Sequence, residues 1–205
     1  WSLKKDGIFT VQSLYSLMIC NGHAKQDQTI WKIKIPLKIK IFAWYLRRGV
    51  ILTKDNLAKR NWNGSKLCVL CGARETIQHL FFECHFARFI WRVVSLTFRL
   101  RAPYSIEDIF SLWLQGIDPK LRLKVLVDAM AICWAIWTSR NDVVFDKTPI
   151  KSYMQVLYRG TYWCRFWAQL QKRYEDIKEI KDGCRQLEAT VMQIFASHGW
   201  QFSNK

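Results

Sequence analysis

Four residues within one short stretch have the side chains and the spacing to hold a metal ion: Cys68, Cys71, His79 and Cys84. Cys68-Val-Leu-Cys71 is a CxxC turn, which presents two thiolates from one tight loop; seven residues then intervene before His79 and four more before Cys84. Zinc takes four N or S donors in a tetrahedron at about 2.0–2.3 Å, so two donors from a turn and two from a following segment close its shell. With all four positions filled by protein, no place remains for a reactive water, and the expected role is structural: one Zn2+ whose binding free energy becomes folding free energy for the loop. Gly72, directly after Cys71, suits the sharp backbone turn, and Thr76 is placed to cap a short helix whose first turn carries His79. A redox CxxC needs a strand–helix context that Lys66–Cys71 does not supply. His85 adjoins Cys84 and is the competing donor, but the turn favours His79; His23 and His198 lie far away in the sequence and read as surface residues.

The elements that must position this knuckle read as mainly α, with one or two short β strands: a small zinc knuckle within a helical body. Half of the 205 residues are hydrophobic, enough for a real core, and only nine Gly and four Pro interrupt the chain,. Phe9 and Val11 alternate as in a short strand ahead of a helix capped by Ser13; Asn21–Gln28 reads as a polar loop; Trp31, Ile33 and Ile35 alternate with Lys32 and Lys34 as a second strand,. Pro36 opens a helix over Leu37–Arg48 that Gly49 ends, and Thr53 caps a short one over Lys54–Arg60. Past the knuckle, helices are expected from His85, over Ile106–Gln115 with Ser105 and Asp108 as a capping box, from Asp118-Pro119 to Trp137 or Arg140 as the longest, from Thr148-Pro149 to about Lys181, and over Cys184–Ser197 with Gly183 as the break,. Residues 1–100, with the knuckle at 68–84, and a C-terminal helical region, 101–205, form the expected division.

The chain carries 32 Lys and Arg against 16 Asp and Glu, a net charge of +16, and nucleic acid is the partner such an excess most often serves,. Within residues 1–66 thirteen basic residues face three acids, Asp6, Asp27 and Asp55. Lys32, Lys34, Lys38, Lys40, Arg47, Arg48 and Lys66 are the candidate phosphate contacts and Trp62 the candidate base-stacking residue, although eleven Trp in a helical body are mainly core,. The odd count of seven cysteines speaks against a secreted disulfide framework; Cys20, Cys133, Cys164 and Cys184 read as buried small hydrophobes,. The most apolar stretch, Val125–Trp137, is broken by Asp128 and too short to span a bilayer,. With no leader sequence in view, the chain reads as a soluble intracellular protein, nuclear or cytoplasmic, and its start at Trp1 as a piece of a longer reading frame. Asp142 and Asp146, four apart, suit capping or ion pairing; no nucleophile–base pair with an orienting group is visible, so the chain is not expected to be an enzyme,.

Trp1, GIFTVQSLYSLM, Trp31 with IPLKIKIFAWYL, LTKDNLAKR and CVLCGARETIQHLFFECHFARFIW together resemble the plant reverse-transcriptase zinc-binding domain of LINE-like non-LTR retrotransposons, over Trp1–Trp91. WAIWTSRNDVVF, Trp134–Phe145, with its Arg140-Asn141 pair, is similar to the segment that follows in such elements. The resemblance implies Cys68, Cys71, His79 and Cys84 as the zinc ligands, in agreement with their spacing, and a role beside RNA or DNA in target-primed reverse transcription. Polymerase and ribonuclease H acidic motifs are missing from this sequence, and Leu52-Thr53-Lys54 stands where Leu-Pro-Thr is usual. The expected function is an accessory zinc-knuckle domain that binds RNA or DNA for a reverse-transcriptase core outside this chain. The competing reading is a domesticated helical protein–protein interaction module with a purely structural zinc.

Overall fold

The computed structural model describes residues 24–150 and 152–198; the expected strand at Phe9–Val11 and the helix after Ser13 lie outside them. In chain order the helices are α1 (Ala24–Lys32), α2 (Leu37–Arg47), α3 (Lys54–Ala58), α4 (His85–Phe98), α5 (Ile106–Ile109), α6 (Arg122–Phe145), α7 (Tyr153–Ala168) and α8 (Tyr174–His198). A π-helical turn, His79–Glu83, precedes α4, and a 3-10 turn, Leu112–Leu114, follows α5. Among the described residues there is no strand, only one isolated antiparallel bridge between Leu67 and Arg74.

α6 is the centre of the body. Its buried residues, from Leu126 through Met130 and Ile136 to Arg140, cover most of its circumference, as expected of a helix packed on several sides,. α7 packs along it, α8 along α7, and α4 closes against both α7 and α8, while α2 crosses α6 from the N-terminal side. Gly160 of α7 lies where α6 comes closest: a Cβ there would stand 3.5 Å from the Ile132 side chain. Trp91 anchors α4, fully buried, with its Nε1–H donated to the Phe81 carbonyl at 2.8 Å. One hydrophobic cluster runs from Ile30 to Phe195.

Several expected boundaries are corrected. Trp31–Ile35 is not a strand: α1 runs through Lys32, and Ile30 and Ile33, three apart, both face the core, so the apparent period of two came from the bend that follows. The polar loop Asn21–Gln28 is helical from Ala24 onward, the Lys40 ammonium capping α1 by donating to the Trp31 carbonyl at 2.7 Å. The Ser105 hydroxyl does accept the Asp108 N–H (3.1 Å), but the helix it starts ends at Ile109 and gives way to the 3-10 turn. The long helix starts at Arg122, three residues beyond Pro119, and extends to Phe145. Ser152 caps α7, whose N-terminal Gln155 N–H it accepts at 3.3 Å; the break that follows falls after Ala168, and Gly183 lies inside α8. The helix runs straight through that glycine, where an added Cβ would meet the Phe98 ring at an ordinary 3.7 Å.

Candidate metal centre and basic surfaces

The knuckle begins as a tight antiparallel turn. Gly72 donates its N–H to the Cys68 carbonyl (2.8 Å), Cys68 donates to the Ala73 carbonyl (2.6 Å), and Gly72 takes φ +78°, where a side chain is strained,. Thr76 then caps the next segment, its hydroxyl accepting the His79 N–H at 2.9 Å. The chain does not continue as α-helix. Cys84 donates its N–H to the His79 carbonyl (2.6 Å), an i→i+5 bond that closes a π turn,. At α-helical spacing residues five apart lie about 140° from each other around the axis. The wider turn brings Cys84 back over His79, which is how both reach one centre.

The outcome is a compact donor set: the ligand atoms of Cys68, Cys71, His79 and Cys84 all lie within 4.8 Å of one another. A tetrahedron with metal–sulfur bonds of about 2.3 Å has edges of about 3.8 Å, so this cluster suits one zinc ion with little movement. Cys71 Sγ and His79 Nε2 are 3.0 Å apart, which identifies Nε2 as the inward nitrogen. Cys68 and Cys84 are buried, Cys71 and His79 partly so. The hydrogen bond from the Cys84 thiol pushes Cys68 down to about 5 and raises Cys84, while burial raises Cys71. A dication at this centre would hold all three as thiolates. His85 turns away, exposed, its ring against Phe86 and Tyr153.

The knuckle is tied to the body by a buried ion pair that the sequence did not announce. Glu75, between Cys71 and His79, is fully buried; its Oε1 accepts the Lys54 N–H at the start of α3 (3.0 Å) and Arg140 Nη2 (2.6 Å), and its Oε2 accepts Arg140 Nε (3.3 Å). Arg140, from α6, is 2% exposed and lies over the Trp137 ring. The Lys54 ammonium, also buried, donates to the Leu67 carbonyl at 2.5 Å, fastening the other end of the knuckle to α3.

The candidate cations divide into groups. Lys32 and Lys34 line a cleft of about 760 Å³ together with Lys120, Lys124, Lys172 and Arg173 from the start of α6 and the α7–α8 link. Lys124 is bound to Asp176 and Glu179, and Arg173 to Glu175 and Asp176, whereas Lys32, Lys34, Lys120 and Lys172 have no acidic partner among the described residues. Lys38 and Arg60 instead border a groove with Tyr45, Trp134 and Trp137, Lys38 standing 5.3 Å over Trp134. Lys40 is committed to capping α1; Arg47 lies over Phe110 and Arg48 over Trp44. Trp62 is 39% exposed, but its ring lies against the Gly64 backbone, and Lys66 is exposed beside the knuckle. Lys120 and Lys172 carry no local sequence signal; only the approach of the α7–α8 link to the segment after α1, marked by Gln171 donating to the Lys34 carbonyl at 3.1 Å, brings them to Lys34. Of the carboxylate pair, Asp142 bonds Arg159 at 2.5 Å.

The fold and site define a helical module built around a Cys3His centre suited to structural zinc. Residues 9–91 match the family described as zinc-binding in reverse transcriptase. Over 101 residues the chain is 27% identical to a protein of Arabidopsis thaliana whose name places it among ribonuclease H proteins. That alignment covers 46% of this chain but 16% of the plant protein, so the chain spans a small part of that relative's length. No solved structure matches. Among the described residues no helix is long and apolar enough to cross a membrane.

Proposed function

We propose that this chain is a retrotransposon-derived, non-enzymatic module that grips RNA or DNA for a reverse transcriptase carried outside it. The observation that carries the reading is the cleft that brings Lys32, Lys34, Lys120 and Lys172 together: Asp118, Asp176 and Glu179 also line it, but none of these four lysines is in an ion pair among the described residues. Unpaired lysines around a groove are what phosphate contact requires, and they supply affinity without reading sequence. Lys38 and Arg60 at the second groove, and Lys66 with Trp62 beside the knuckle, extend the proposed surface. Arg47 and Arg48 contribute positive potential from the end of α2. Zinc supplies no chemistry to a substrate here; the four side chains that hold it keep the knuckle folded. Similarity to a ribonuclease H protein of much greater length fits a module working beside nucleic-acid enzymes.

The test is fluorescence anisotropy of a single-stranded RNA oligonucleotide titrated with the zinc-loaded chain at several salt concentrations. Each phosphate contact contributes about 0.7–0.9 to the slope of log K against log salt, so Lys32→Glu/Lys34→Glu/Lys172→Glu should lower the slope by two to three as well as the affinity. An unchanged slope would remove the cleft from the interface. A second reading rests on α7, where Tyr158, Tyr162 and Phe166 stand exposed at four-residue intervals as one apolar stripe, with exposed Leu170 just past the helix end. Such a stripe suits a partner protein, including the reverse-transcriptase core itself. No binding to RNA or DNA at low salt would favour it.

A further inference from the structure

Between α4, the 3-10 turn, α6, α7 and α8 the side chains stop short of one another around a cavity of about 330 Å³. The hollow opens to solvent beside Phe98, Gly116, Asp118 and Leu121, and its volume is at the lower end of the size range of small-molecule sites,. Its wall is largely apolar, formed by Trp91, Phe98, Trp113, Val125 and Leu187 among others. An apolar wall offers water few of the two to four hydrogen bonds it needs.

The charge of the wall runs against that of the chain. In a protein of net charge +16, no Lys, Arg or His among the described residues lines this cavity, whereas two carboxylates do, Asp118 and Asp128. Asp118 accepts the Lys120 N–H at 2.9 Å, at the approach to α6. Asp128, the one acid interrupting the apolar run of α6, has its Oδ1 cut off from solvent with no hydrogen-bond partner among the described residues. Burial pushes its carboxyl up to about 7, opposed by a hydrogen bond with the Cys164 thiol. A buried carboxyl with an unmet oxygen is costly unless a donor reaches it, and a cation is the donor that repays it most.

We propose that this cavity binds a small apolar cation, an aromatic amine of about two rings, with its ammonium on Asp128 and its ring against the indoles of Trp91 and Trp113. The size follows from the volume, about twice that of an engineered cavity that holds one benzene. The charge follows from a wall with carboxylates and no base. The site lies apart from the zinc ligands, and its ligand is unrelated to the nucleic acid of the reading above.

Isothermal titration of the zinc-loaded chain with tryptamine, its neutral isostere 3-propylindole and the anionic indole-3-propionate tests the assignment. Tryptamine should bind about tenfold to a hundredfold more tightly than 3-propylindole, the range expected for a hydrogen bond to a charged group, and indole-3-propionate weakest. Asp128→Asn keeps the shape of the wall and should bring tryptamine and 3-propylindole level. Gly183→Leu, projecting a side chain from α8 into the cavity, should abolish binding of both while circular dichroism shows the helices intact. The assignment is overturned if the folded, zinc-loaded chain binds none of the three. It is equally overturned if Asp128→Asn leaves the preference for the amine unchanged, or if Gly183→Leu folds and binds as the parent does.

Discussion

Arg140→Met would show how far the knuckle depends on the body. The substitution keeps most of the hydrocarbon stem over Trp137 but removes two of the three hydrogen bonds that Glu75 accepts, leaving Oε2 without a partner and Oε1 with only the Lys54 N–H. Glu75 is fully buried, so the orphaned carboxylate cannot turn to water. Breaking a buried pair from one side costs about 3–5 kcal/mol, a large share of the 5–15 kcal/mol that holds a domain together. Glu75→Gln/Arg140→Met removes both charges and retains an amide oxygen for Lys54, so it should recover most of that loss, since the net worth of a buried pair is small. Urea unfolding of the parent, the two single variants and the double variant, all with saturating zinc, gives the coupling energy directly. Zinc affinity by chelator competition should fall in Arg140→Met and return in the double variant, because Glu75 lies between Cys71 and His79. The reasoning is refuted if Arg140→Met costs less than about 1 kcal/mol, or if the double variant is as unstable as the two single effects summed.

Cys68→Ser or His79→Ala should remove the zinc and melt the knuckle, and chelation should lower the Tm of the parent but not of these variants; a folded, metal-free parent with an unchanged Tm would refute a structural metal. Gly72→Ala should destabilise by about 1–2 kcal/mol, because φ +78° is strained for any residue with a Cβ, whereas Gly183→Ala should stabilise by about 0.5–1 kcal/mol, its Cβ meeting Phe98 at an ordinary 3.7 Å within α8; thermal unfolding checks both signs,. The folded pKa of Asp128, raised to about 7, lies above the ordinary value near 4, so stability from this group is present at low pH and lost as the pH rises to 7,. Between pH 5.5 and 8 the parent should therefore lose about 2 kcal/mol relative to Asp128→Asn, a comparison in which the zinc ligands cancel; equal pH profiles would contradict it.

The zinc donors were legible because the constraint on them is local: a CxxC turn, a glycine and a Thr76 cap act over a few residues, and each behaves in the structure as the sequence predicts. The π turn was not legible, since α-periodicity carries no signal for an i→i+5 bond, yet it sets Cys84 over His79. Helix ends were read well where a cap or a positive-φ glycine fixed them, as at Gly49 (φ +68°) and Ser105, and poorly where tertiary packing decided. Trp31–Ile35 alternates in sequence, but the buried positions Ile30 and Ile33 place it at the end of a helix; Gly183 reads as a breaker, but the 25-residue α8 runs through it. The cations illustrate the same limit. Composition revealed the excess of charge, but only the folded chain shows that Lys40 caps α1 and that Lys120 and Lys172 face Lys32 and Lys34.

A buried ion pair joins the matched segment to the helices that follow it. Residues 9–91 contain all four zinc donors and Glu75, but the Arg140 that holds Glu75 comes from α6, outside the matched segment. Trp137, from the same helix, packs on Phe81 of the π turn, and Trp134 meets Phe42 of α2 edge-on at 5.0 Å. The Trp134–Phe145 segment therefore acts as the floor on which the zinc region rests. A knuckle excised at residue 91 would keep its donors but lose the partner of a buried carboxylate, a cost of several kcal/mol in a piece too small to build much core of its own. The zinc closes the loop and the Arg140–Glu75 pair seats it on α6; both are needed to fix the knuckle's position, and with it that of Lys66 and Trp62, relative to the basic cleft.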